Sequence, residues 1–151
     1  EYTGGNPSND TIILTNCLLE NNTAANEGGG IAFFNDFGTD NYFELNNVEI
    51  IGNTSESEGG GFYLSNGGGS GMEVKVTDCL IENNAAEVRT GGIMVRNTAG
   101  MNNQLLIDQC EIFNNTSNGG VGGMFITEEG NTTTYAKISN TNFKGNSALV
   151  V

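Results

Sequence analysis

Apolar residues in this chain come in short alternating pairs, such as Ile12/Leu14, Cys17/Leu19, Ile31/Phe33 and Phe43/Leu45. Gly- and Asn-rich breaks end each run before it reaches helical length. A period of two over so few positions predicts short strands joined by turns. The runs also recur in register. One motif spans Leu14 to Asn22, Leu45 to Asn53, Val76 to Asn84, Ile107 to Asn115 and Ile138 to Asn146, and its last residue repeats every 31 positions without an insertion. A Gly-Gly-apolar triplet follows at constant distance: Gly29-Gly30-Ile31, Gly60-Gly61-Phe62, Gly91-Gly92-Ile93 and Gly122-Gly123-Met124. A period of this size signals a solenoid, a propeller or an array. Helical repeats of that length need Ala, Leu, Glu and Lys at helical spacing; here Gly, Asn, Thr and β-branched residues stand instead. The prediction is an all-β parallel β-helix. It has about five coils, three short strands per coil, and successive coils about 4.8 Å apart.

Residues one period apart should share one environment. The columns Ile12/Phe43/Val74/Leu105/Ala136, Leu14/Leu45/Val76/Ile107/Ile138 and Leu19/Ile50/Ile81/Ile112/Phe143 are apolar throughout and should fill the core. Phe33/Leu64/Val95/Ile126 form another, with Tyr2 as its expected first member. The column Asn21/Gly52/Asn83/Asn114/Gly145 holds only the two residue types that best tolerate positive φ, so it reads as a left-handed turn. Beside it Asn22, Asn53, Asn84, Asn115 and Asn146 form a column in which Gly never replaces Asn. A turn role alone does not explain that. An inward amide ladder, each side chain bonded to the next coil, does.

The segments Gly28-Gly29-Gly30-Ile31 and Phe143-Lys144-Gly145-Asn146 resemble the GG-[AG]-[ILV] and F-x-x-N repeats of polymorphic membrane protein passengers, within the pectin-lyase-like superfamily of parallel β-helices. Elsewhere Leu or Ile replaces the Phe, and Phe62 or Met124 stands where Ile31 does. The resemblance implies right-handed coiling. It concerns a scaffold shared by enzymes, adhesins and structural proteins, so it does not fix a function.

The whole chain, 1–151, reads as a single solenoid domain, a segment of a longer or head-to-tail stacked one. Glu1 falls in the mid-strand column of Ala32 and Tyr63, and Val151 in that of Glu27 and Glu58. Neither end carries a recognisable cap, so further coils or other subunits are expected to cover both. A net charge of −13, from 18 acidic and 5 basic residues, argues against nucleic acid, anionic membrane or polyanionic substrate as partner. Cys17, Cys79 and Cys110 share a column with Val48 and Thr141 and read as small core residues. Cys79 and Cys110, in adjacent coils, are within reach of a disulfide.

Sequons begin at Asn9, Asn21, Asn53, Asn114, Asn115 and Asn131, which suggests a secreted or cell-surface glycoprotein. The repeat places Asn53 and Asn115 in the inward ladder, leaving Asn9, Asn21, Asn114 and Asn131 as candidate glycan carriers. Catalytic groups are scarce. There is no histidine, and the only bases are Lys75, Arg89, Arg96, Lys137 and Lys144. Stacking sets Lys75 beside Glu44 and Arg89 beside Glu58, as surface ion pairs. Glu27/Glu58 and Glu56/Glu87 stack as like charges on a regular sheet, which makes no hydrolytic cleft. Asp36 and Asp40 are weak calcium candidates; no other cofactor is expected. The glycine runs lack the Lys-Ser/Thr and helix of a phosphate loop.

Alternation points Tyr63, Met94 and Phe125 outward, with Phe34 beside them, as candidates for a lateral protein interface or a sugar-stacking platform; cover by a loop or N-terminal segment outside this stretch is the third option. Leu18, Leu80, Ile51 and Phe113 point outward on another sheet. Links such as 35–42 keep their length in every repeat, whereas the lyases and hydrolases of the superfamily build sites from long insertions. The expectation is a non-enzymatic extracellular β-solenoid glycoprotein, a rod segment of a filament, appendage or adhesin. The alternative is a carbohydrate-binding or polysaccharide-processing β-helix whose site lies mostly outside this stretch.

Overall fold

A computed structural model of the chain describes residues 8–149. It is an all-β parallel solenoid without helices. The first turn carries β1 (Thr11–Thr15), β2 (Leu18–Glu20), β3 (Thr23–Ala24) and β4 (Ile31–Asn35). The second repeats the order with β5 (Tyr42–Asn46), β6 (Glu49–Ile51), β7 (Thr54–Ser55) and β8 (Phe62–Asn66). The third has β9 (Glu73–Thr77), β10 (Leu80–Glu82), β11 (Ala85–Ala86) and β12 (Ile93–Asn97). The fourth has β13 (Asn103–Asp108), β14 (Glu111–Phe113), β15 (Thr116–Ser117) and β16 (Met124–Glu128). Then follow β17 (Thr134–Ser139), β18 (Asn142–Lys144) and β19 (Ser147–Ala148).

Each turn therefore has four strands, not the expected three, and the strands stack into four parallel sheets. The strand that escaped the sequence pattern is the two-residue β3 type, too short for alternation to register. The described residues make about four turns rather than five: three sheets have five strands and the fourth sheet has four. The last described turn stops after β19, and Tyr2, the expected first member of the fourth sheet's inner column, lies outside the described residues, as do Glu1 and Val151.

Register is the predicted one. Leu45 pairs with Leu14 and Val76, and Ile81 with Ile50 and Ile112. Leu45, Val76, Ile107, Ile50, Ile81 and Ile112 are fully buried. The inner ring of Phe43 stacks at 5.6 Å on Phe62 and meets Phe33 at 4.9 Å. Burial fades toward the last described turn, where Ile138 is 45% and Phe143 43% exposed in the same columns.

The corners explain the polar columns. Asn21, Gly52, Asn83, Asn114 and Gly145 all have φ between +50° and +67°, as predicted. The sequence reading missed three further corners of the same kind. Asn16, Asn47, Asp78, Gln109 and Asn140 make one; Asn9, Asp40, Gly71 and Asn102 another; Gly28, Gly59 and Thr90 the last. Short polar residues and Gly occupy nearly all of them because a larger side chain in this region crowds its own carbonyl. The Gly-Gly triplet has a different cause. A Cβ on Gly60 would lie 2.2 Å from the Ala85 carbonyl oxygen and 2.7 Å from that of Gly91. Successive turns approach there too closely for any side chain.

Candidate functional surfaces

The predicted ladder is present and buried. Asn53, Asn84 and Asn115 have no solvent exposure, Asn146 is half-buried, and Asn22, on the first turn, is exposed. The Oδ1 of Asn84 accepts the backbone N–H of Asn53 at 2.9 Å and its Nδ2 at 3.0 Å. The Nδ2 of Asn84 donates onward to Asn115 Oδ1 at 3.0 Å and back to the Ile50 carbonyl at 2.8 Å. Every capacity of the amide is used, which is what a buried amide requires. Asn115 repeats the pattern toward Asn146 and Ile81.

A second polar column escaped the sequence reading. Asn35, Asn66 and Asn97 are buried at the ends of β4, β8 and β12. Asn66 Nδ2 donates to the carbonyls of Gly69 and Ala99 and to Asn97 Oδ1, and its Oδ1 accepts the Gly69 N–H. Asn41 and Asn103 join the same corner, accepting the N–H of Asp10 and of Met72. The signal was legible: Asn35, Asn66 and Asn97 are 31 apart, but the column breaks at Glu128 and was passed over.

The outer face of the fourth sheet differs from expectation. Tyr63 and Met94 are buried, while Phe34 and Phe125 are half-buried, so these four do not form an open apolar stripe. The link between the third and fourth sheets folds back over them. Gly59 sits against Tyr63, so that a Cβ there would come within 2.9 Å of Tyr63 Cβ. The Thr90 hydroxyl lies 3.5 Å from Met94 Sδ, and the Arg89 guanidinium carbon 6.0 Å from the Phe125 ring centre. Phe34 packs on Tyr63 at 5.5 Å. The face is covered, but by the chain's own connector rather than by a segment outside this stretch.

Ion pairs lie over that cover. Arg89 reaches Glu58 at 3.3 Å, Arg96 lies 4.0 Å from Glu58, and Arg96 meets Glu129 at 3.3 Å. Burial raises the Tyr63 phenol beneath them above its ordinary value. With a guanidinium against each carboxylate, the cluster closes the face. The predicted Lys75–Glu44 pair is present at 3.7 Å on the first sheet. There the Tyr42 hydroxyl donates to Glu44 at 2.8 Å, which holds the Glu44 carboxyl below its usual range. Burial, with that hydrogen bond second, pushes Tyr42 up to about 12.

The remaining candidates are scattered. Asp36 and Asp40 are both exposed, and no group of three or more Cys, Asp or Glu side chains converges among the described residues. Asn118, one turn on, donates its Nδ2 to the Glu87 carboxylate. All three cysteines are free thiols, Cys79 and Cys110 buried and Cys17 half-buried. Each donates to the carbonyl two residues back, of Thr15, Thr77 or Asp108, as the Thr141 hydroxyl does to Ser139. The column thus supplies a small donor at a turn, and the Cys79–Cys110 bridge is not formed. Asn9, Asn21, Asn114 and Asn131 are exposed, whereas the sequons at Asn53 and Asn115 lie in the buried ladder.

No family model matches the chain, and no curated protein or solved structure matches it. The β-solenoid fold is shown, and the likeness to pectin-lyase-like or polymorphic membrane protein repeats rests on the motifs alone.

Proposed function

We propose that this chain is a non-enzymatic structural module, a rod segment of an extracellular filament, appendage or adhesin, and that it carries N-glycans. The observation that supports it best is the unbroken 31-residue register, with one ladder running from Asn22 to Asn146 and no turn interrupted by a site-forming insertion. Cross-turn hydrogen bonds of this density resist bending, which suits a mechanical role. The half-exposed core columns at Ile138 and Phe143 are surfaces on which a further turn or another subunit would stack. The exposed sequons Asn9, Asn21, Asn114 and Asn131 would present sugar at corners and links.

Negative-stain electron microscopy of the native material is the first test, with filaments or appendages expected and isolated short particles contradicting the reading. Glycopeptide mapping should find sugar among the four exposed sequons and none on Asn53 or Asn115. Release of reducing sugar or unsaturated product from pectin-like polysaccharides would replace the proposal with an enzymatic one.

A further inference from the structure

The second sheet (β2, β6, β10, β14, β18) has a pattern on its outer face that the rod role leaves unused. In each three-residue strand the middle side chain points inward and the two flanking ones outward: Ile50, Ile81 and Ile112 are fully buried, and Leu18, Glu49, Glu82 and Phe113 are at least partly exposed. Register stacks Leu18, Glu49, Leu80 and Glu111 in one outer column and Glu20, Ile51, Glu82 and Phe113 in the other. The apolar residue therefore changes sides at every turn. Leu18, Ile51, Leu80 and Phe113 make a continuous zigzag along the sheet, stepping about 4.8 Å per turn. A glutamate sits beside each of them.

Like charges stacked directly one above another are unfavourable, and the alternation avoids that. It does not require Leu, Ile and Phe at the other positions, where Thr or Ser would keep the spacing. Leu18 is 57% exposed, and the contacts of β6, β10 and β14 run to their neighbours within the sheet. The chain's cations lie elsewhere: Lys75 and Lys137 on the first sheet, Arg89 and Arg96 at the fourth, with only Lys144 at the far end of this face. Glutamates on successive turns are diagonal neighbours about 8 Å apart, roughly one Debye length at physiological salt, so their fields add in part.

We infer that this face docks a cationic amphipathic segment of a partner protein, one that presents Lys or Arg and apolar side chains in turn on the same face. The zigzag would supply the desolvated contact and the glutamates the steering and register. A second copy of the chain fits poorly, because it would bring glutamates against glutamates on a molecule of net charge −13. The inference does not depend on the rod reading, since it uses only the sheet and its register.

The test is fluorescence anisotropy with a labelled lysine–leucine peptide of Lys-Ser-Leu-Ser repeats, which when extended puts lysine and leucine on one face. The comparison peptides replace every leucine with serine, giving a lysine–serine peptide, or every lysine with glutamate. The expected result is binding of the lysine–leucine peptide alone, weakened at least roughly tenfold by Leu80→Ser with Phe113→Ser, and likewise by Glu82→Gln with Glu111→Gln. The Gln pair keeps side-chain size, so it stands even where the Ser pair lowers stability. Equal binding by the Gln variant, or equal binding of the lysine–serine peptide, would overturn the inference. So would a wild-type dimer in sedimentation that the Ser pair dissolves, because the occupant would then be a second copy. Native sugar at Asn21 or Asn114 that blocks the peptide would overturn it too, making the face a glycan bed.

Discussion

Removing the amide of Asn84 tests what holds the turns together. In Asn84→Ala the backbone N–H of Asn53 loses the acceptor it has 2.9 Å away, while remaining fully buried. Such an orphaned donor costs about 1–3 kcal/mol. Three other bonds go as well, but their partners are less exposed to loss. Asn53 Nδ2 still donates to the Leu19 carbonyl, and Asn115 Oδ1 still accepts the N–H of residue 84. Each of these adds a net of about 0.5–1 kcal/mol. The total is about 2.5–6 kcal/mol, a large share of the 5–15 kcal/mol typical of a domain. Asn22→Ala, at the exposed first rung, removes one bond that water can replace and should cost about 0.5–1 kcal/mol. Urea unfolding followed by far-ultraviolet circular dichroism compares the two. Asn84→Asp adds a signature. Its second oxygen would face Asn115 Oδ1 and the Ile50 carbonyl, so the buried carboxyl is favoured in its protonated form. Its folded pKa then rises above the unfolded value near 3.9, and stability present below about pH 4 is lost as pH increases. Equal costs for Asn84→Ala and Asn22→Ala, or a pH-independent Asn84→Asp, would refute the ladder as a source of stability.

Other perturbations probe separate features. Gly60→Ala drives a methyl into the Ala85 and Gly91 carbonyls, so it should lower the unfolding midpoint more than Gly130→Ala, whose Cβ meets almost nothing and whose cost is confined to its φ of +70°. Tyr42 holds its proton up to about pH 12 when folded and to about 10 when unfolded, so the folded state binds the extra proton between those values. Wild-type stability should therefore fall from about pH 10 upward relative to Tyr42→Phe, as alkaline denaturation curves would show. Iodoacetamide should label Cys17 before Cys79 and Cys110, which react only on unfolding; sharing a hydrogen bond with Cys79 and burial both raise the Cys110 thiol. Rapid native labelling of Cys110 would contradict its burial.

Columns of one residue class were readable because the solenoid repeats each environment at a fixed interval. Leu45, Val76 and Ile107 could be placed in the core, and Asn84 in a ladder, from spacing alone. The readings that failed concern what lies across the chain rather than along it. Tyr63 and Met94 do point outward from their strands, as alternation says. Whether a connector of six residues folds back over them depends on the φ of Gly59 and Thr90 and on the Glu58–Arg89 contact. The period sets Arg89 beside Glu58 and Thr90 beside Gly59, but it does not say which way that column turns. The Asn35/Asn66/Asn97 corner was missed for another reason: a rule that accepts only unbroken columns discards one that changes residue at the last turn.

The Asn22–Asn146 ladder also has a direction. Each Oδ1 receives from the turn before it, so wherever such a ladder ends its leading edge offers an oxygen and its trailing edge N–H groups. Two such modules meeting by equivalent edges would set oxygen against oxygen or hydrogen against hydrogen. Any axial joining must then proceed head to tail, giving an array with a plus and a minus terminus that can grow at unequal rates.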